Sequence, residues 1–148
     1  MNRYLVDTNV FLYARGKDHR YREPCRAILQ AARDRRIVLE ASVELVQEFI
    51  HVLLRRGLDR ASALDEANEV RSQCRRMHAF DGDVLTEALT LLRRHDKLGV
   101  RDAVHAATAR RARISSVLSA DIAFDAVDEL TRVDPAAPDA PWPKKRMT

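Results

Sequence analysis

The chain has 148 residues, enough for one domain; with 46% hydrophobic and 32% charged residues it can bury a core under a charged surface, which excludes wholesale disorder. Its net charge is +4, and of its 26 basic residues only Lys17, Lys97, Lys144 and Lys145 are lysines, so the arginine-rich remainder permits a nucleic-acid partner without demanding one. Cys25 and Cys74 are too few for a disulfide scaffold or a thiolate metal site, Asp7 interrupts any apolar leader, and no apolar run nears the ~20 residues of a membrane span, so the expectation is a reduced, cytoplasmic protein.

Tyr4-Leu5-Val6 reads as a short buried strand, Asn9 to Ala14 as a brief helix and Arg15 to Arg20 as a charged loop. Tyr21 to Arg35 is helical, with Pro24 in its first turn and Ala27, Ile28, Ala31 and Ala32 on one face. Ile37 to Leu39 is a second strand, after which Ser42 caps a helix with the stripe Val46, Phe49, Ile50 and Leu53, ending at Gly57. Asp59 starts a further helix, Met77 to Phe80 suits a short strand, and Asp81 or Asp83 opens a helix that stops near Gly99. Val100 to Ala112 is Ala-rich and helical, Ser116 to Leu118 is a buried strand, and Leu130 to Val133 suits a last one. Four of the five prolines lie after it, so residues 134–148 are expected to form a tail without regular structure behind a domain of residues 1–133. Strands alternating with helices predict an α/β fold with a mainly parallel sheet.

The chemistry lies in where acids follow strands. Asp7 directly follows Tyr4-Leu5-Val6, and Asp121 follows Val117-Leu118 by three residues. Ligands of open α/β sheets bind beyond the carboxyl ends of strands, so both carboxylates can share one crevice; Asp7 alone equally suits a cap for the helix near Asn9. Glu48 lies opposite the main stripe of its helix, yet Leu45 and Val52 share its side. Asp102 has His105 and Ala106 three and four residues on, where small alanines let the helix approach the sheet; its alternative is a first-turn acid complementing the helix dipole. Carboxylates crowded in one crevice need a cation, and oxygen ligands without a Cys or His set favour Mg²⁺ or Mn²⁺, which suit phosphodiester hydrolysis. Setting Asp7, Glu48, Asp102, Asp121 and Asp125 apart leaves the rest of the chain at +9, an acidic hole in a basic surface.

Val6-Asp7-Thr8-Asn9-Val10, Val46-Gln47-Glu48-Phe49, Arg101-Asp102-Ala103-Val104-His105-Ala106-Ala107 and Leu118-Ser119-Ala120-Asp121-Ile122-Ala123-Phe124-Asp125 follow one another in order. Together they resemble the PIN domain, and the short length resembles the VapC toxins of bacterial toxin–antitoxin pairs; the likeness runs from about residue 4 to residue 133. The resemblance implies a PIN-like three-layer fold, its short central sheet flanked by helices. It further implies that Asp7, Glu48, Asp102 and Asp121 hold Mg²⁺ or Mn²⁺, with Thr8, Ser119 and Asp125 as auxiliary residues. The implied activity is endonucleolytic cleavage of RNA, tRNA or ribosomal RNA. The implied partner is a VapB-type antitoxin that sends a basic side chain towards the acids, in a homodimer or a toxin–antitoxin hetero-oligomer away from membranes.

Other features divide evenly or fall to blander readings. Arg15, Lys17, Arg20 and Arg22 suit either RNA contact or a solvated loop. His105 and His51 share helix faces with Asp102 and Glu48 but fit structural or surface roles. Trp142 sits where a partner would bury it, and Lys144-Lys145-Arg146 reads as solvated tail. A haloacid-dehalogenase-type phosphatase needs a second Asp two residues after the first, where this chain has Asn9. The remaining alternative is a non-catalytic PIN-like module that binds RNA or protein.

Overall fold

A computed structural model describes residues 2–140 and Trp142. Strands β1 (Asn2–Val6), β2 (Ile37–Ser42), β3 (Arg76–His78), β4 (Ser116–Leu118) and β5 (Thr131–Val133) are joined by helices α1 (Thr8–Arg15), α2 (Arg22–Arg33), α3 (Val43–Arg55), α4 (Arg60–Gln73), α5 (Gly82–Arg94) and α6 (Val100–Arg111). The strands form one sheet in the order β3-β2-β1-β4-β5, with every neighbouring pair parallel. The expected α/β layering is therefore present.

Alternation along β1 sends Tyr4 and Val6 to one face and Leu5 to the other. The first face packs on Phe11 of α1, Ile28 of α2, Phe49 of α3 and Ala67 of α4. The second packs on Val84 and Leu91 of α5 and on Ala103, Ala106 and Ala107 of α6. Residues 103–109 of α6 are buried without a break, a close approach that its alanines and His105 must share. Side chains of Asp7, Ser42, Asp59 and Asp81 accept backbone N–H groups at the starts of α1, α3, α4 and α5, which settles the open choice at α5 for Asp81 over Asp83. Past α3, Gly57 takes a φ of +90°, a conformation glycine adopts without steric cost.

Because β1 is flanked by β2 on one side and β4 on the other, the chain reverses its winding between them. Val6 pairs with Leu118, and the Asp7 N–H donates to the Leu118 carbonyl at 2.9 Å, so the two strands end side by side. Their carboxyl ends form the crevice of a topological switch point.

Several boundaries differ from expectation: β1 begins at Asn2 instead of Tyr4, and α2 spans Arg22–Arg33 instead of Tyr21 to Arg35. β2 continues past Leu39 through Glu40, Ala41 and Ser42, because Arg3 neutralises the buried Glu40 and His78 lies within hydrogen-bonding distance of it. β3 stops at His78 instead of Phe80, and β5 begins at Thr131 instead of Leu130. A 3₁₀ turn over Ile122–Ala126, capped by Asp121, stands where only a motif was read. Beyond β5, residues 134–140 are turns and irregular chain. Trp142 is 3% exposed: its ring meets Tyr4 edge-on at 5.8 Å and its Nε1 donates to the Pro135 carbonyl at 3.4 Å. This chain itself therefore buries Trp142, and no partner is needed to cover it. Lys144-Lys145-Arg146 lies outside the described residues.

Candidate metal centre

Asp7 sits at the end of β1 and is 5% exposed. The Ser119 hydroxyl donates to its Oδ2 at 2.6 Å, the Asn9 amide to the same oxygen at 3.1 Å, and the Thr8 N–H to Oδ1 at 2.7 Å. Asp7 is thus both a helix cap and a carboxylate held in a fixed orientation; the two readings of this residue coexist. The Thr8 hydroxyl donates to Glu48 Oε1 at 2.5 Å, and Arg101 Nη1 donates to Glu48 Oε2 at 3.2 Å. Glu48 is half-buried on the Leu45 side of α3, which is turned towards α1 and α6.

The other two acids arrive from the far side of the crevice. Asp102, in the first turn of α6, reaches hydrogen-bonding distance of Asp121 and feels the charge of Asp7. Asp121 is held by its own turn: its N–H donates to Ser119 Oγ at 2.9 Å, and its Oδ1 accepts the Ala123 N–H at 2.9 Å. Ser119 therefore ties Asp7 to the Asp121 turn. Asp7 and Glu48 thus meet at His105, while Asp102 and Asp121 pair with each other beside them, within reach of the Asp7 charge.

Burial pushes Asp102 up to about 8, helped by the hydrogen-bonded Asp121 carboxyl and the charges of Asp7 and Asp121; His105 opposes this. Burial also raises Asp7, against the pull of His105, Ser119 and the Thr8 N–H. Burial would raise Glu48 as well, but the bonds from His105 and Thr8 and the charges of His105 and Arg101 outweigh it and hold its pKa below the usual value. His105 is itself 2% exposed, and burial would lower it; Glu48, Asp7 and Asp102 reverse that and raise it.

His105, for which the sequence suggests a structural or surface role, stands inside this site. Its Nε2 lies 3.7 Å from Asp7 Oδ1 and 3.6 Å from Glu48 Oε1, while its Nδ1 is buried without a hydrogen-bond partner among the described residues. Ligand atoms of Asp7, Glu48 and His105 all fall within 4.8 Å of one another, a spacing that one cation can span. The carboxylate-rich donor set fits Mg²⁺ or Mn²⁺. Burial is the main reason Asp7 and Asp102 hold their protons, and for Asp102 the neighbouring acids add to it.

Not every expected residue joins the cluster. Asp125 makes a two-pronged ion pair with Arg132, at 2.9 and 3.3 Å, and is more than half exposed. Arg132 also donates to the Ser119 carbonyl at 3.2 Å, so Asp125 bears on the site through Arg132. Arg15 is engaged with Glu66 of α4 at 2.5 and 3.1 Å. Lys17 and Arg20 are exposed in the α1–α2 loop, and Arg22 begins α2 with its Nε buried. His51 is exposed on α3.

The PIN domain family matches residues 4–130. The chain is 35% identical over 134 residues to ribonuclease VapC7 of Mycobacterium tuberculosis, spanning 90% of this chain and 92% of that protein. Among solved structures, a toxin–antitoxin complex from Klebsiella pneumoniae superposes with a TM-score of 0.63 at 17% identity, covering 89% of this chain and 97% of that one. The sarcin–ricin-loop-cleaving toxin VapC20 of M. tuberculosis superposes with a TM-score of 0.63 at 22% identity, covering 77% of this chain and 86% of that one. Both likenesses concern the fold.

Proposed function

This chain belongs to the PIN domain family, and on that premise we propose that it is a divalent-metal-dependent endoribonuclease acting as the toxin of a toxin–antitoxin pair. The observation that supports the reading is the meeting of Asp7, Glu48 and His105 at the β1/β4 switch point, with the Asp102–Asp121 pair beside them. The ribonuclease named among its relatives and the toxins among its structural neighbours support the same reading.

In this reading Asp7, Glu48, Asp102 and Asp121 hold Mg²⁺ or Mn²⁺. Such an ion supplies Lewis acidity at the scissile phosphate and lowers the pKa of water. Ser119, Asn9 and the Thr8 N–H keep Asp7 in one orientation, and the Thr8 hydroxyl does the same for Glu48. The His105 Nε2 proton faces Asp7 and Glu48 and offsets part of their charge. Arg101, 64% exposed at the mouth, is placed to meet an incoming phosphate.

The partners follow from the surface. A groove of about 820 Å³ between α1, α2 and α4, lined by Phe11, Leu29 and Val70 with arginines and acids in equal number, suits an antitoxin segment with apolar and mixed charged side chains. Leu85 and Leu89 of α5 and Val100 of α6 are exposed beside the mouth of the site, where a second copy would cover them. Among the described residues no helix is long and apolar enough to cross a membrane.

The direct test incubates the purified protein with RNA and Mn²⁺, with a chelator and an Asp7→Asn control. Cleavage should need the metal and vanish in the variant. RNA left intact under every divalent metal, by well-folded protein free of antitoxin, would leave the non-catalytic module as the better account.

A further inference from the structure

Beyond the acid cluster α1 keeps one side open, with Asn9, Leu12, Tyr13 and Gly16 at i, i+3, i+4 and i+7. The first of these is part of the cluster: Asn9 Nδ2 donates to Asp7 Oδ2 at 3.1 Å and to Ser119 Oγ at 3.2 Å. One turn on, about 5.4 Å along the axis, Tyr13 faces a cavity of about 890 Å³ that Lys17, His19 and Arg56 also line. Asn9 lines the near end of this cavity, so the cavity meets the acid cluster through the residue that holds Asp7.

The loop is built from stacked rings. Tyr13 and His19 lie 4.7 Å apart at 20°, and Tyr21 closes the group at 5.2 Å from Tyr13 and 5.8 Å from His19. The Tyr21 N–H donates to His19 Nδ1 at 3.2 Å, which fixes the imidazole plane, and the Arg20 guanidinium lies 4.8 Å over the Tyr21 ring. Tyr4, Phe11, Phe49, Phe124 and Trp142 are buried; besides Phe80, this fold leaves Tyr13 and Tyr21 half-buried and His19 exposed in one charged loop. Lys17, Arg20 and Arg56 outnumber Asp18 there.

We propose that Tyr13 and His19 form a nucleobase-stacking subsite for single-stranded RNA, seating a base near the phosphate that the acid cluster receives. The proposal rests on the nuclease reading and deepens it. Every base has a π-face, so a ring platform grips RNA with little regard to sequence, while the neighbouring cations hold the phosphates on either side. Bases inside a duplex are already stacked and paired, so the subsite selects loops and single strands. Prior stacking of the rings on one another places the platform before RNA arrives, which reduces the ordering cost of binding.

The experiment uses a short single-stranded RNA carrying one 2-aminopurine, with the full chain and a chelator to prevent cleavage. Stacking should quench the probe on binding. Tyr13→Leu should lose the quenching and weaken binding about ten-fold, within the range that a lost base stack costs; Tyr13→Phe, which keeps the ring, should recover both. An RNA with an abasic residue in place of the probe should bind wild type and Tyr13→Leu equally. With Mn²⁺ present, Tyr13→Leu should raise KM far more than it lowers kcat. Thermal melts identify a misfolded Tyr13→Leu, in which case His19→Leu, altering an exposed ring, carries the same comparison. Quenching and KM that persist unchanged in well-folded variants overturn the subsite while leaving metal-dependent cleavage, and with it the nuclease reading, intact. Tyr13-dependent quenching without cleavage under any divalent metal leaves the subsite standing and removes the nuclease.

Discussion

Two carboxylates on neighbouring strands of this sheet are almost equally buried and behave in opposite ways. Glu40 of β2 is 3% exposed and Asp7 after β1 is 5% exposed. Arg3 grips both Glu40 oxygens at 2.6 and 3.1 Å, and His78 Nε2 lies 2.7 Å from Oε1, so the Arg3 hydrogen bond above all holds Glu40 well below the usual carboxylate range. Among the described residues Asp7 has hydroxyl, amide and N–H partners and His105 at 3.7 Å as its one cationic neighbour, and burial raises it. The chain fully neutralises the acid it uses to hold the sheet together. At the crevice it gathers four acids around one buried histidine and one exposed arginine. On the proposed reading, a site left short of cations by its own fold takes one from outside.

The largest expected effect separates the two acids by activity. On the proposed reading, Asp7→Asn and Asp102→Asn should each lower metal-dependent RNA cleavage by orders of magnitude while keeping the fold. Glu40→Gln should cleave at the wild-type rate per folded molecule. A stability measurement reverses the order. Arg3→Ala strands the buried Glu40 and should cost about 2–4 kcal/mol in denaturant unfolding, the lower end reflecting the part-exposed arginine. If Arg3→Ala abolished cleavage in protein shown to be folded, the division between structural and functional acids would be mistaken.

How far each acid was legible in the sequence follows the range of its interactions. Asp7 could be placed because a three-residue apolar run ends directly before it, and Glu48 because Leu45 and Val52 mark its side of α3 as partly buried. The parallel sheet was readable from alternating short strands and amphipathic helices. Glu40 was not: an acid after Ile37-Val38-Leu39 reads as the end of a strand until Arg3, 37 residues away, is known to face it. His105 was visible three residues after Asp102, but its contact with Glu48 joins two helices that no local pattern relates. Trp142 lies among prolines, and only the fold shows that Tyr4 receives it. The Asp125–Arg132 pair was hidden for the same reason, since the motif suggested an acid near the metal and β5 supplies the arginine that engages it.

The same comparison predicts opposite responses to pH in metal-free protein. Glu40 is depressed in the folded state, so its contribution is present above its unfolded value of about 4.5 and is lost as pH falls through the folded pKa. Asp102 is raised, so its contribution is complete below about 3.8 and is lost as pH climbs through about 8. Melting temperatures with a chelator present should therefore fall on the acid side in a manner that Arg3→Ala removes. On the alkaline side they should fall in a manner that Asp102→Asn removes. If Asp102→Asn left the decline between pH 4 and 8 unchanged, the crowding of acids would not be its source.

The smallest expected effect is the most specific to the crevice. Replacing Asp121 by Asn keeps an oxygen to accept the Ala123 N–H, and the bond from Ser119 Oγ engages the backbone N–H of residue 121, so both local anchors survive. What is lost is one charge beside Asp102. The pKa of Asp102 should then fall towards its ordinary value, which lowers the cost of folding this acid at neutral pH without metal. Relief on the order of 1 kcal/mol corresponds to a melting temperature about 2–4 °C higher in a chain of this size. Added Mn²⁺ binds the folded state and raises the wild-type melting temperature with concentration. With one carboxylate fewer, the variant should gain less across the same series, so the two melting curves should cross as metal is added. Glu40 offers no such crossing, because its charge is already matched by Arg3. An Asp121→Asn protein that melts lower without metal and keeps the full metal response would make Asp121 a second structural acid like Glu40, and would remove it from the metal site.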